Sequence, residues 1–133
     1  MEQNKSLINI FNNFLDDTKD DWNYITPTYF YSKYYNKKPF IVDLRQKKDF
    51  EQFHIKGATN IFWLDLMKEE NLNKLPKNKT MFLICYVGHT SSQALVLLKM
   101  LGYKVVAIKF GYGKSPVFGV PVAGWLNYNY PVV

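Results

Sequence analysis

The residues with the clearest capacity for chemistry surround the only cysteine of the chain, Cys85. The apolar segment 81–84 predicts a buried strand, Gly88 predicts a tight loop, and the periodic segment 93–101 predicts a helix that begins on a Thr or Ser N-cap. Backbone N–H groups in such a loop, together with the positive end of the helix, favour a thiolate and hold anionic sulfur above it. The pattern therefore indicates nucleophilic sulfur chemistry at Cys85.

A purely structural cysteine is the alternative, because a free cysteine at the end of a hydrophobic strand is most often a small buried hydrophobe. Three features favour the reactive interpretation. Gly88 allows a loop in which several N–H groups converge, and residues 86–90 are small or uncharged. The loop also continues directly into the predicted helix, as it does in strand-loop-helix anion sites.

Three blocks of sequence occur in a recognisable order. Segment 85–91 reads Cys-Tyr-Val-Gly-His-Thr-Ser, segment 42–61 contains Asp-Leu-Arg and His-Ile-Lys-Gly-Ala-Thr-Asn-Ile, and segment 101–125 begins with Leu-Gly-Tyr and ends with Gly-Trp. These blocks are similar to the active-site loop C-x-x-G-x-[RTS]-[SA], the D-x-R and H-I-x-G-A-x-N-I signature, and the closing strand of rhodanese-domain sulfurtransferases. The resemblance covers Trp22 to about Pro131, nearly the whole chain.

This resemblance implies a thiosulfate sulfurtransferase-like enzyme that works by double displacement without a cofactor. Cys85 would be the catalytic residue, taking sulfane sulfur from a small anionic donor, thiosulfate or a persulfide, and holding it as a persulfide. The acceptor would be cyanide or a thiol, including a thiol on a protein partner. The implied substrate-binding residues are those of the loop: Tyr86, Val87, Gly88, His89, Thr90 and Ser91.

The chain departs from the family pattern at three places. Phe53 stands where the family usually has a glycine, which predicts a differently built turn. The loop contains no Lys or Arg, whereas many thiosulfate-using members of the family have a cation there, so the identity of the sulfur donor is not fixed by the resemblance. His89 is either a solvent-facing side chain or a weak cation for an incoming anion. The link at 112–121 is also longer than usual.

Two rival functions belong to other classes. Phosphatases of the C-x5-R type need an arginine six residues after the cysteine, where this chain has Ser91. A noncatalytic rhodanese-like interaction or sulfur-carrier module remains an alternative, because an enzyme signature is not an activity. One cysteine and two separated histidines cannot form a thiolate zinc site, so no metal is expected.

Arg45 is the only arginine among 17 basic residues. Either it survives by chance in a lysine-biased composition, or the fold needs a planar fork of donors that lysine cannot supply. Its expected partner is Asp49, with Asp43 or a backbone carbonyl of the Cys85 loop as alternatives. We expect Asp43, Arg45 and Asp49 to support the structure of the site rather than to bind substrate.

Composition excludes several classes of protein. With 133 residues, of which 47% are hydrophobic and 17% aromatic, the chain is expected to fold around one core. The net charge of +6 comes from scattered lysines without a recognition motif, so no nucleic-acid partner is expected and the charge would attract anionic donors. No segment resembles a signal peptide or a membrane span, which predicts a cytoplasmic protein, or a periplasmic one if a signal has been removed.

The elements that position these residues alternate along the chain. We expect an amphipathic helical appendage at 1–20 and a rhodanese-like domain at 21–133. Strands are predicted at 40–43, 59–61, 81–85 and 105–109, and helices at 26–35, 47–53, 64–70 and 91–101. Continuous apolar strands alternating with helices predict an α/β fold with a mostly parallel central sheet of about five strands and helices on both faces. Ligands bind at the carboxyl ends of such strands, where Asp43 and Cys85 are predicted to lie.

Overall fold

The computed structural model describes residues 5–19, 22–114 and 122–133. Five strands form one sheet in the order β1-β5-β4-β2-β3, and every neighbouring pair is parallel. The strands are β1 (Tyr24–Ile25), β2 (Phe40–Asp43), β3 (Thr59–Asn60), β4 (Met81–Ile84) and β5 (Val105–Ile108). The predicted parallel α/β sheet is confirmed.

In the described part of the chain, five α-helices and three 3₁₀ helices connect and cover the strands. The α-helices are α1 (Lys5–Thr18), α2 (Pro27–Lys33), α3 (Lys47–Gln52), α4 (Glu69–Leu72) and α5 (His89–Met100). The 3₁₀ helices are Tyr35–Lys37, Trp63–Asp65 and Trp125–Tyr128. Thr26 caps α2 through a hydrogen bond from the Tyr29 N–H, and Pro27 occupies the first turn, as predicted.

Strand β4 lies at the centre of the sheet because its side chains suit burial on both faces. All four of its residues are buried, and it pairs with β2 on one side and β5 on the other. One face carries a core that includes Leu83, Leu95 and Leu98, beneath α5. The other face carries a largely aromatic core around Phe82, beneath α2. Both faces are therefore covered, and the carboxyl end of β4 opens at the edge where Cys85 lies.

Strand β1 and the 3₁₀ helices Tyr35–Lys37 and Trp125–Tyr128 were not predicted, and one helix prediction was wrong. Strand β1 has only two residues and the 3₁₀ helix Trp125–Tyr128 only four, which is too short for a periodic signal. The helix predicted at 64–70 does not form. Lys68 is extended, with φ −65° and ψ 137°, and it separates a 3₁₀ turn from the one-turn helix α4.

The N-terminal helix α1 forms as predicted and packs against α5, with Phe14 reaching the core beneath it. Residues 1–4, 20 and 21 lie outside the described part of the chain, so the division at residue 20 remains a prediction. In the ranges that the structure describes, no helix has the length and apolar character needed to span a membrane.

Candidate active site

Cys85 directly follows β4, and its sulfur is surrounded by hydrogen-bonding groups. The N–H of Gly88 points to Sγ at 3.1 Å and the N–H of Ser91 at 3.4 Å. The thiol lies 3.2 Å from the Ser91 hydroxyl, which in turn donates to the Gly88 carbonyl at 3.2 Å. The side chain is 1% exposed. Since N–H groups directed at sulfur stabilise negative charge on it, this is the geometry of an anionic sulfur site.

Helix α5 begins earlier than predicted. Its N-cap is Gly88, at φ 101° and ψ −7°, and not a Thr or Ser; the helix runs from His89. The prediction of a Thr or Ser N-cap failed because the chain needs a left-handed residue here, and glycine adopts that conformation at low cost. This conformation turns the chain sharply enough to bring the Gly88 N–H back to Sγ. A Cβ at residue 88 would also lie 3.2 Å from the Phe110 nitrogen.

A turn after β5 supports the cysteine loop from behind. The Tyr112 N–H donates to the Cys85 carbonyl at 3.0 Å, and the Gly113 N–H donates to the Tyr86 carbonyl at 2.9 Å. Gly111 permits this close approach, because a Cβ there would lie 2.1 Å from the Cys85 oxygen. These contacts hold the carbonyls of Cys85 and Tyr86 in hydrogen bonds to the turn, while the N–H groups of Gly88 and Ser91 face the sulfur.

Arg45 pairs with Asp43, not with Asp49, so the expected partner was wrong and the first alternative is correct. Nε lies 3.1 Å from Oδ1 of Asp43 and Nη2 lies 3.0 Å from Oδ2, which is a bidentate arrangement. The two residues are 2% and 0% exposed. Asp43 is the last residue of β2, and Arg45 follows it by two residues, so the Asp43 carboxylate is aligned with the guanidinium group. Asp49 lies on the next element, α3.

Arg45 is further enclosed by two aromatic rings. The guanidinium carbon lies 4.8 Å from the centre of the Phe53 ring and 3.9 Å from that of Tyr112. Nη2 also donates to the Phe53 carbonyl at 2.6 Å, and the Tyr112 hydroxyl donates to Asp43 at 2.8 Å. Phe53 has extended backbone, with φ −164°, so the turn at this departure from the family pattern does not need a glycine.

Tyr86 is directed away from the sulfur and toward α3. Its hydroxyl donates to the carboxylate of Asp49 and accepts the Gln46 N–H at 3.2 Å. Burial, and then the hydrogen bond to the Asp49 carboxylate, raise the pKa of Tyr86 to about 12. The hydroxyl therefore stays protonated at neutral pH and links the cysteine loop to α3.

The other predicted loop residues differ in their exposure to solvent. Val87 and Ser91 are buried, Thr90 is half-buried and His89 is exposed, as in the solvent-facing alternative for that histidine. Val87, Gly88, His89 and Ser91 line a cavity of about 350 Å³ beside the loop. The far wall includes Lys109 and Phe110, at the end of β5. This places a lysine near a loop that carries none.

Sequence reasoning missed Tyr112 and Lys109. Tyr112 was assigned to an inserted link, yet it is completely buried against Arg45 and Asp43. Lys109 gave no signal, because it is one of many lysines and reaches the loop only through strand order. Of the predicted insertion at 112–121, residues 115–121 lie outside the described part of the chain.

Comparison with known proteins gives a family match and several structural neighbours. The sequence model of the rhodanese-like domain family matches residues 26–114 of this chain. The chain is 31% identical over 68 residues to the adenylyltransferase and sulfurtransferase uba4 of Ogataea parapolymorpha, a match that covers 51% of this chain and 17% of that protein.

Solved structures show the same fold. A rhodanese-related protein from Thermoplasma volcanium aligns with a TM-score of 0.67 at 24% identity, over 83% of this chain and 96% of that one. A rhodanese-like domain protein from Staphylococcus aureus aligns with a TM-score of 0.61 at 25% identity, over 74% and 95%. Since the family model spans more than half of the chain, and the cysteine loop and the Asp43–Arg45 pair lie within it, the chain belongs to the rhodanese-like domain family.

Proposed function

We propose that this protein is a sulfurtransferase that carries sulfane sulfur as a persulfide on Cys85. The observation that carries the proposal is the placement of two backbone N–H groups and one hydroxyl around Sγ. These donors stabilise a sulfur anion without an acid-base partner, which suits a reaction whose nucleophile, intermediate and leaving group are all anions.

The proposed reaction has two displacements. In the first, the Cys85 thiolate attacks the outer sulfur of thiosulfate, a new S–S bond forms, and the S–S bond of the donor breaks with its electron pair leaving on sulfite. In the second, cyanide or a thiolate attacks the outer sulfur of the persulfide, and the electron pair returns to Cys85. Charge is conserved in each displacement and no proton is transferred between the reactants.

Ser91 is the side chain best placed to follow the change of charge on sulfur. With a neutral thiol, its hydroxyl accepts from Cys85 and donates to the Gly88 carbonyl. With a thiolate, rotation about the Cβ–Oγ bond turns the hydroxyl proton toward Sγ, since hydroxyl hydrogens rotate to suit their partners. The hydroxyl thus adds a third donor to the N–H groups of residues 88 and 91.

The cavity beside the loop accounts for attraction of an anionic donor. Lys109 and the exposed His89 both line it, so the positive charge absent from the loop is supplied from the end of β5. We assign thiosulfate or a small persulfide to this cavity and a cyanide or thiol acceptor, including a protein thiol, to the second step.

The family match and the sulfurtransferase name of the Ogataea relative support the proposal at the level of sulfur-transfer chemistry. The rival function is a noncatalytic interaction module. The 1% exposure of Cys85 favours it, because a donor must pass the loop to reach Sγ.

Mass spectrometry of the intact protein after incubation with thiosulfate tests the proposal. We expect a gain of one sulfur atom that maps to Cys85 and is removed by cyanide with formation of thiocyanate. Cys85→Ser is the matched control and should gain nothing. A wild-type protein that gains no sulfur from thiosulfate or from a small persulfide would overturn the proposal in favour of the interaction module.

A further inference from the structure

A second cavity runs along α2, from its N-cap Thr26 to its C-cap Tyr34, and reaches the amino ends of β2 and β4. Its volume is about 750 Å³, within the range of small-molecule sites. At the amino ends of the strands it is bordered by Phe40, the first residue of β2, and by Thr80, which immediately precedes β4. Tyr24 of β1, which is in register with Ala107, also borders it. Phe82 and Val106 provide an apolar floor. We call this cavity the amino-end groove.

Lysines from two distant segments meet at the amino-end groove. Lys37 and Lys38 precede β2 and Lys79 precedes β4, and all three line the groove. Since Phe40 pairs with Met81 in parallel register, the segments before the two strands emerge side by side. Lys79 lies over the Phe40 ring, with Nζ 5.4 Å from its centre.

The positive charge in the groove is not neutralised by the part of the protein that the structure describes. Within residues 5–19, 22–114 and 122–133, no Asp or Glu lines the groove, and Lys37, Lys38 and Lys79 form no salt bridge. Both ends of α2 border the groove, the N-cap Thr26 and the C-cap Tyr34, so the helix dipole favours neither sign of charge along its whole length. The lysine side chains are the cations that the groove offers to an anion.

Aromatic side chains lie among these lysines. Tyr24 and Tyr29 are 38% and 48% exposed, and with the half-buried Tyr34 they line the same groove. At its border, Lys33 donates to the Tyr29 hydroxyl at 2.8 Å and lies 5.2 Å from the centre of that ring. Exposed rings offer flat surfaces for a planar group, and the adjacent lysines offer charge for phosphate.

We propose that the amino-end groove binds a nucleoside phosphate, with the base against the tyrosine rings and the phosphates against Lys37, Lys38 and Lys79. A simple polyanion would use the lysines but leave the rings and the apolar floor unused. A neutral aromatic ligand would leave three cations unpaired. A base joined to phosphate uses both sets of groups. Tyr24 lies on the border of this groove and of the cavity beside the cysteine loop, but Cys85 does not line the groove. The proposed binding does not depend on the chemistry at Cys85.

Isothermal titration with four probes tests the site: ATP, AMP, adenosine and inorganic tripolyphosphate, at low and moderate salt. We expect ATP to bind more tightly than AMP, tripolyphosphate or adenosine, and its affinity to fall as salt rises. No binding of ATP at millimolar concentration would overturn the proposal. Equal affinity for ATP and tripolyphosphate would also overturn it, because the base would then contribute nothing.

Two variants separate the contributions of charge and ring. Lys37→Gln/Lys79→Gln should weaken ATP binding about tenfold or more, whereas Lys48→Gln/Lys74→Gln, which removes the same charge from exposed sites outside the groove, should have a small effect. Tyr29→Leu should weaken ATP binding about fivefold and leave tripolyphosphate binding unchanged. Equal losses in the two lysine variants, or an unaltered ATP affinity in Tyr29→Leu, would show that the groove does not recognise the nucleotide.

Discussion

The two ends of β4 are suited to anions by different means. At its carboxyl end, Cys85 meets N–H groups of the loop and of α5, and the loop itself contains no lysine. At its amino end, Thr80 and Lys79 border a groove in which the charge comes from lysine side chains. In a parallel α/β sheet, helices begin near the carboxyl ends of strands and end near the amino ends. Helix N–H groups therefore favour anions at the first of these ends, where α5 begins.

The two ends of β4 also differ in how firmly their anion-binding groups are positioned. The donors around Sγ are backbone groups held by Gly88 and by the turn at Gly111, so their positions vary little. The lysines of the amino-end groove are long, exposed side chains, and holding such side chains in one geometry costs rotamer entropy. We expect one end to perform chemistry and the other to bind reversibly.

The largest expected effect separates the two ends completely. Cys85→Ser should reduce sulfurtransferase activity to below about 1% of wild type, because a hydroxyl is a poor nucleophile and cannot carry a persulfide. ATP affinity at the amino-end groove should be unchanged. Steady-state kinetics and titration calorimetry measure the two properties, and residual activity well above that bound would refute the role of Cys85.

A second prediction concerns the support beneath the carboxyl end. Arg45→Lys should lower the free energy of unfolding by about 2 kcal/mol, since a buried bidentate pair and a hydrogen bond to the Phe53 carbonyl are replaced by a point contact. Lys47→Gln breaks the exposed pair with Glu51 and should cost at most about 0.5 kcal/mol. Denaturant unfolding that finds the two variants equally stable would contradict the bracing role of Arg45.

A third prediction tests whether Tyr86 acts by positioning the cysteine loop. Tyr86→Phe removes the links to Asp49 and to the Gln46 N–H, and should lower kcat more than it raises KM, by about fivefold overall. As a single substitution, Asp49→Asn keeps an oxygen that can accept the hydrogen bond from Tyr86, and this variant should retain most of the wild-type kcat. An effect of Tyr86→Phe on KM alone would instead indicate direct contact with the donor.

The same hydroxyl predicts a response to alkaline pH. Because the folded protein raises the pKa of Tyr86 from about 10 to about 12, its contribution to stability is present below pH 10 and is lost as pH rises through 12. The loss of stability in this interval should therefore be smaller for Tyr86→Phe than for wild type. Parallel denaturation curves at pH 9 and 11 measure it, and identical losses would show that Tyr86 is not the titrating group.

The smallest expected effect distinguishes two lysines at opposite ends of β5. Lys109 follows the strand and lines the cavity beside the cysteine loop, whereas Lys104 precedes the strand. Lys109→Gln should raise the KM for thiosulfate about threefold with little change in kcat, because the lysine attracts ground state and transition state alike. Lys104→Gln should have no such effect. Equal changes of KM in both variants would show that Lys109 acts only through the overall charge of the protein.

The sequence by itself determined the strands β2, β4 and β5 and the position of Cys85 after β4. Their apolar runs are continuous because strands buried on both faces leave no polar side, and such runs predict a parallel sheet with its site at the carboxyl edge. A structural role for Arg45 was also expected, since one planar donor among many lysines is a compositional signal, although chance survival was the alternative.

Only the tertiary structure decided which groups meet. Arg45 faces Asp43 rather than Asp49, and Tyr112 closes over that pair from a segment 67 residues beyond Arg45. The lysines at 37, 38 and 79 look scattered along the chain, but the parallel pairing of β2 with β4 brings them together in one groove. Local patterns specify periodicity and turns, whereas register and strand order set the contacts between distant residues.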